Sequence, residues 1–584
     1  MTLVTKQTCR GLRLAKSTFG TIRSFIYLKK GKDSSPNMKN NRPTVTVRQG
    51  TIIGIEVKVQ IDASLDVILE EFLGVPFALS TTGERRFSPP VPLPASEENE
   101  FDAGSWGPRC PSGEDDGTSS EDCLNLNIFR PKLRDAHKKL PVLVYVHGGS
   151  FNFGSGNARQ IDDLVAWSEK PMIGISFNYR VGAFGFLNSR FMASKGLLNV
   201  GLKDQEFALR WVKENIEAFG GDSGDVTFMG SSAGAHSVGH HLMHNPDEPP
   251  LFHKAIIESG ATTARAVYPY DNALHEEQFQ DFLSHLNLQK PPEDQIIPTL
   301  RLLPTSRIKT ASEAVFDKYS LSIRWPFQPV IDGPGGMIPK APIHAWRSGN
   351  YHKIPILTGF NTNEGASFVP WSLATTAQFT SFFRTMLPGL SEEDLMELDK
   401  VYPDPVSHPA SKYVEHRRNL GKQYKRVEQA YAHFAYIAPV RQTAQYAAAA
   451  AVEEEEMPVY LYHFAVDCSV DGGADHGTHS SFVTYARQVR TVSPTINEIA
   501  GTMHAYWTSF VTTGDPNAVK GRWGTRPEWP RYVAGGKGKK MLFGDGNDEV
   551  AGLRNKGIVA QVVDDVWAKE ECEYWWERTK KFES

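Results

Sequence analysis

From Pro43 onward the chain alternates short apolar runs with amphipathic ones. The segments TVTVRQGTIIGIEVKVQI (44–61) and FLGVPFAL (72–79) are strand-like and broken by glycine, which predicts an antiparallel opening to a sheet. LPVLVYVHGG (140–149), MIGISFNYR (172–180), DVTFMG (225–230), KAIIESG (254–260), KIPILTGFN (353–361) and VYLYHFAV (459–466) are continuous apolar stretches of strand length. Strands apolar on both faces are buried on both faces. DQEFALRWVKENIEAF (204–219) and AGAHSVGHHLMH (233–244) read as helices packed against them. The pattern predicts an α/β fold, a large and mostly parallel central sheet covered by helices on both faces. Helix-rich insertions at 270–325 and 370–450 fall between strands, over the carboxyl ends of the sheet where such folds bind ligands. The stretch 80–121 is rich in Pro, Gly and acids and reads as loop. The runs Ala447–Ala451 and Glu453–Glu456 read as a helix end and a solvated face.

Composition narrows the class. The chain is 40% hydrophobic and 22% charged over 584 residues, ordinary for a globular protein with a large core. Its net charge of −4 hides an asymmetry: residues 1–43 carry ten Lys/Arg against Asp33 alone, which makes +9 and leaves −13 for the rest. Residues 1–42 are expected to form a basic arm, and 43–584 a single domain. An acidic body argues against nucleic-acid binding. The arm has no apolar stretch longer than Phe25-Ile26-Tyr27-Leu28, a poor secretory signal, although its basic, acid-poor composition also suits an organelle presequence. No apolar run approaches the ~20 residues that span a bilayer, and the chain holds no Asn-X-Ser/Thr sequon. These features together predict an intracellular, cytoplasmic protein with no stable membrane insertion. The five cysteines match no zinc spacing. Cys110 and Cys123 either close one small loop in an oxidising compartment or remain thiols. Cys572 lies in an amphipathic run (572–576) expected to dock as a C-terminal helix.

The chemistry centres on Gly230-Ser231-Ser232-Ala233-Gly234, which joins the strand at 225–230 to the helix at 233–244. A serine on a strand-to-helix turn, flanked by glycines, is a nucleophile elbow, its oxygen exposed at the positive end of the helix. Serine needs a base, and the base needs an orienting acid. Glu364 follows the strand at 353–361, and His476 lies in a Gly-rich loop after the strand at 459–466. The order Ser–acid–His at strand ends is that of the α/β-hydrolase fold. His147-Gly148-Gly149-Ser150-Phe151, also after a strand, suits an oxyanion hole, because glycine-rich backbone brings N–H donors close to a developing negative charge. His240 and His244 stand one helical turn apart, but the Glu of H-E-x-x-H is absent, so they read as helix packing. Phe368 and Trp371 are candidates for lining a substrate gorge. No metal or organic cofactor is expected.

With these motifs in place, the chain resembles the type-B carboxylesterase/lipase family of the α/β-hydrolases, and its fungal-type carboxylesterases in particular. The resemblance is carried by Glu121-Asp122-Cys123-Leu124-Asn125-Leu126-Asn127-Ile128, by NVGLKDQEFALRWVKENIEAFGGDSGDVT (199–227), and by the elbow. GFNTNEG (359–365), His476-Gly477 and WTSFVTTGDPN (507–517) add to it. It covers about residues 43–577. The resemblance implies Ser232 as nucleophile, His476 as general base and then acid, Glu364 as the orienting acid, and Gly149, Ser150 and Ala233 as oxyanion donors. It further implies a Cys110–Cys123 disulfide and an Arg86–Glu121 salt bridge. Three positions depart from the family pattern. Ser231 stands where Glu usually precedes the nucleophile, which predicts a shifted pH dependence. Ser150 replaces a glycine, and His479 stands where an acid is common, making it a rival base. The 110–123 loop is short and lacks aromatics, so the cation–π platform of choline esterases is not expected.

The implied activity is that of a serine carboxylic-ester hydrolase acting on a small-molecule ester through an acyl-enzyme. One rival is an acyltransferase or lactone-forming enzyme of a biosynthetic pathway using the same covalent chemistry. The other is a non-catalytic binding protein on the same fold.

Overall fold

The computed structural model describes residues 42–582 apart from 61–65, 97, 115, 133–137, 265–266, 290 and 451–456. The expected basic arm, Arg42 excepted, and the Glu453–Glu456 run lie outside the described residues. Strands β1 (Thr44–Val47), β2 (Gly50–Ile53) and β5 (Glu100–Asp102) form a small three-stranded sheet. The remaining strands are β3 (Ile55–Gln60), β4 (Asp66–Pro76), β6 (Asn125–Pro131), β7 (Leu140–Val146) and β8 (Ile173–Phe177). Beyond them come β9 (Gly221–Ser231), β10 (Lys254–Glu258), β11 (Ile356–Asn361) and β12 (Val459–Phe464), with β13 (Lys539–Phe543) and β14 (Ala560–Asp564) last. They make one 11-stranded sheet in the order β14-β13-β12-β11-β10-β9-β7-β8-β6-β4-β3. Its centre, from β8 to β13, is parallel throughout, and antiparallel pairs lie at both edges.

The two faces of the sheet bury separate apolar layers, as the period-2 geometry of a strand demands. On β7, Val142, Val144 and Val146 point into one layer while Leu143 and Tyr145 point into the other. The first layer takes the apolar stripes of the helices Val200–Asn215 and Ala233–Met243, through Leu209, Val212, Val238 and Leu242. The second takes those of Ile161–Ala166 and Pro494–Thr513, through Leu164, Val165, Ile499 and Met503. The insertions are helical, as expected, with Ala273–His285 and Thr305–Ser320 in the first and Tyr424–Ala432 and Ala438–Ala450 in the second. Cys572 is buried in the helix Lys569–Glu577.

Two parts of the sheet were not evident from hydrophobic pattern. Strand β6 carries Asn127 among its apolar residues, yet is buried. Asn127 accepts from the Gly74 N–H at 2.9 Å and donates to Ser176 Oγ at 3.2 Å, so its polar atoms are satisfied inside. Strands β13 and β14 pair with each other at one edge, where partial exposure weakens the pattern. β11 begins at Ile356, because Pro355 has no N–H to donate to a ladder, though its carbonyl accepts from Ala255.

The loop stretch 80–121 is fastened by two buried ties. Cys110 and Cys123 form a disulfide across 13 residues of chain. Arg86 pairs with Glu121 through both carboxylate oxygens, at 2.6 and 2.8 Å, and also donates to the carbonyls of Leu300 and Leu303, tying the first helical insertion to this loop. Among the described residues, no helix is long and apolar enough to cross a membrane. Closing a loop of this length removes denatured-state entropy worth about 3 kcal/mol. Cys123→Ser is therefore expected to lower unfolding free energy by roughly that amount, read as a lower denaturant midpoint at unchanged slope.

Candidate active site

Strand β9 ends at Ser231, and the helix Ala233–Met243 begins two residues later, so the whole turn falls on Ser232. Ser232 has φ 59° and ψ −126°, a conformation L-residues rarely adopt. Its N–H donates to the Glu258 carbonyl on the neighbouring strand at 3.0 Å, and its own carbonyl accepts from His236 at 3.0 Å. The flanking glycines are there for space. A Cβ on Gly230 would stand 2.3 Å from the Gly234 backbone, and one on Gly234 would stand 2.3 Å from the Val146 carbonyl.

The acid and the histidine come from the next strand ends along the sheet. Glu364 lies three residues past β11 and is fully buried. Its Oε1 accepts from the Asn361 N–H at 2.7 Å and from the Ser259 hydroxyl at 2.6 Å. Its Oε2 meets His476 Nδ1 at 2.5 Å. This carboxylate thus has one oxygen fixed by the scaffold and the other on the imidazole. The opposite ring nitrogen, His476 Nε2, is buried and has no hydrogen-bond partner among the described residues. Ser232 therefore makes no hydrogen bond to this nitrogen. Phe368 and Tyr436 hold the imidazole, with centroids 5.1 and 4.4 Å from it. Of the two gorge candidates, Phe368 packs on the histidine, while Trp371 is 43% exposed.

The loop after β7 approaches the serine closely: a Cβ on Gly148 would lie 3.0 Å from Ser232 Cβ. Gly149 and Ser150 both have positive φ, 115° and 56°. The Ser150 carbonyl is held from two sides, by Asn152 Nδ2 and Gln328 Nε2, each at 2.8 Å. The Gly149 carbonyl accepts from Asn152 and Phe153. The committed Gly149 carbonyl fixes the peptide plane that carries the Ser150 N–H, and the Gly148 carbonyl, 2.8 Å from His147 Nδ1, fixes the plane that carries the Gly149 N–H. Ala233, the first residue of its helix, has an N–H with no acceptor within that helix. His147 anchors the loop, stacking on Tyr179 at 4.3 Å, and burial lowers its pKa to about 4.

The rival histidine has a different partner. His479 is fully buried with Nε2 3.6 Å from Glu258 Oε2, in a cluster with Arg159 (2.5 Å from Glu258) and Trp507 (2.8 Å). Burial opposes the Glu258 charge, but Arg159 and His479 outweigh it and hold the carboxyl down at about 2. His240 and His241 are buried neutral bases, lowered to about 3 by burial. Several supporting residues were not found from sequence. Ser259, Gln328 and the Arg159–Glu258 pair carry no motif, though Ser259-Gly260 ends a predicted strand.

Most of the chain matches a known family. A sequence profile described as the carboxylesterase family matches residues 41–567. The chain belongs to the carboxylesterase family. The chain is 34% identical over 481 residues to a protein named secreted lipase 4 from Gibberella zeae, covering 80% of this chain and 83% of that one. It is 30% identical over 541 residues to acetylcholinesterase from Electrophorus electricus, covering 84% and 83% of the two chains. A crystal structure of Aspergillus niger EstA superposes with a TM-score of 0.77 at 27% identity, over 93% of this chain and all of that one. The carboxylesterase is thus a carboxylic-ester hydrolase on the α/β-hydrolase fold, as its sequence led one to expect. The secreted relative weighs against the cytoplasmic placement expected from the arm.

Two buried carboxyls flank the acid loop of this carboxylesterase. Glu428 accepts from the Gly365 N–H at 3.2 Å and from Gln429 at 2.8 Å, and burial raises it from 4.5 to about 7. Burial likewise raises Asp475, whose Oδ1 accepts from the His476 N–H at 2.7 Å, to about 6. A carboxyl whose pKa is higher folded than unfolded binds its proton more tightly in the native state. Its cost to stability is absent below about pH 4.5, grows as pH rises, and is complete above about pH 7 for Glu428. At 1.36 kcal/mol per pH unit the full cost is about 3 kcal/mol. Glu428→Gln is expected to remove this slope, so its denaturation midpoint should gain on wild type between pH 5 and pH 8. Parallel midpoints would contradict it.

Proposed function

We propose that the carboxylesterase works through a Ser232–His476–Glu364 triad with an oxyanion hole made by the N–H groups of Gly149, Ser150 and Ala233, on a single hydrolase domain of residues 43–584. The observation that carries the reading is the 2.5 Å contact of Glu364 with His476 Nδ1, with Nε2 left buried and unpartnered. A carboxylate on Nδ1 fixes the tautomer in which Nε2 is the base. Ser232 Oγ attacks the ester carbonyl as Nε2 takes its proton, and Glu364 stabilises the imidazolium. The oxyanion meets three N–H dipoles already in place, which saves reorganisation when charge develops. Nε2 then protonates the departing alcohol. Water, deprotonated by the same nitrogen, attacks the acyl-enzyme and releases the acid and the serine.

The reading leaves Ser231 and His479 to explain. With no carboxylate before the nucleophile, Glu364 is the carboxylate that meets the imidazole at Nδ1, while Glu258 is engaged by Arg159 and His479. We also infer an oxidising compartment, supported by the Cys110–Cys123 disulfide and by the name of the Gibberella relative.

Ser232→Ala is expected to lower kcat for p-nitrophenyl acyl esters by about 10⁶, and Glu364→Gln by about 10⁴. Circular dichroism of each variant should match wild type. A folded Ser232→Ala protein that kept even a few per cent of the rate would overturn the assignment.

A further inference from the structure

Beside the oxyanion loop lies a pocket that opens to solvent. It adjoins the reacting centre on three sides. Phe151 follows the oxyanion residue Ser150, Gln328 donates to the Ser150 carbonyl at 2.8 Å, and His236 donates its N–H to the Ser232 carbonyl. His476 is not among its walls, and the leaving alcohol must lie towards His476 to receive its proton. On the proposed mechanism the acyl chain is the part of the ester left to occupy this pocket. Its walls are largely apolar, with Trp325, Leu274 and Met386 among them.

One wall residue does not fit a purely apolar acyl chain. Arg324 lines the pocket, its Nε is buried without a hydrogen-bond partner among the described residues, and no Asp or Glu lines the pocket with it. Two other basic groups there, His275 and His240, carry no charge near neutrality, since burial lowers them to about 4 and about 3. Arg324 thus brings a fixed positive charge to the cavity wall, in company with neutral donors on Tyr268 and His275. A guanidinium held against low-dielectric walls without a counter-charge is a poor neighbour for a neutral chain and a good one for a planar anion, which it can meet through two parallel N–H bonds.

Resting on the triad reading above, we infer that this pocket selects esters whose acyl group ends in a carboxylate, with Arg324 as its counter-charge. The substrates of this class are half-esters of dicarboxylic acids. An aliphatic acyl chain of several carbons would run past Trp325 and Phe151, and its terminal carboxylate would reach Arg324.

Monomethyl adipate, dimethyl adipate and methyl hexanoate share one scissile methyl ester and differ at the far end of the acyl chain. Methanol release by wild type, Arg324→Gln and Arg324→Lys, followed by proton NMR, gives kcat/KM for each. Wild type is expected to favour monomethyl adipate over methyl hexanoate by roughly tenfold or more, the range of a charge-assisted hydrogen bond. Arg324→Gln should collapse that ratio, chiefly through KM, and Arg324→Lys should restore part of it. Dimethyl adipate should behave like methyl hexanoate in all three proteins. Hydrolysis of both esters with a ratio unmoved by Arg324→Gln would overturn this inference and leave the triad standing. Failure of folded wild type to hydrolyse any of the three would overturn the inference; if Ser232 were also inert to a fluorophosphonate, the triad reading would fall with it.

Discussion

Ser232 is held at φ 59° and ψ −126°, where an L-residue costs about 1–3 kcal/mol, and much of the surrounding architecture supports that turn. Strand β9 delivers the chain from below and the helix Ala233–Met243 carries it away. Strand β10 supplies the carbonyl of Glu258 that holds the turn's N–H at 3.0 Å. Glycines at 230 and 234 permit the strand, the helix and β7 to close to distances no side chain would allow. The result is an oxygen at the mouth of the sheet and an N–H, that of Ala233, at the positive end of a helix. One strained residue thus sets both the proposed nucleophile and part of its proposed oxyanion site.

Buried charge does the rest of the positioning, and it is arranged in pairs that leave little unbalanced. Beneath the elbow, Glu258 is bound by Arg159, Trp507 and His479 while its backbone carbonyl holds Ser232. Breaking such a buried pair by removing one partner costs about 3–5 kcal/mol, so this cluster is a rigid base. Glu364, by contrast, keeps one oxygen on the scaffold and turns the other towards His476. Arg86, Arg159 and Arg180 each find a carboxylate at 2.6 Å or less, whereas Arg324 faces a pocket with no Asp or Glu among its described walls.

The sheet was legible in the sequence because it rests on a local signal: continuous apolar runs mark β7 to β12. The proposed triad residues Ser232, Glu364 and His476 follow β9, β11 and β12 at their carboxyl ends, and Gly148 and Gly149 mark the proposed oxyanion loop by composition. What was hidden lies in long-range pairing. β6 disguises itself with an Asn that is satisfied only by Ser176 and Gly74, and the Glu364–Ser259 bond joins residues 105 apart. The charge of Glu258 depends on Arg159, 99 residues away in sequence. Periodicity carries no information about such partners. The cytoplasmic expectation had a different weakness. It leaned on the composition of the N-terminal arm, whereas the disulfide and the secreted relative speak about the folded body.

The most direct test of the account is covalent. An alkyl fluorophosphonate mimics the tetrahedral intermediate and traps only a serine that a base has activated and an oxyanion hole can stabilise. Tandem mass spectrometry of the digested adduct should find a single modification, on Ser232, with loss of hydrolysis in step with labelling. An adduct on another residue, or full inactivation with Ser232 unmodified, would contradict the central claim.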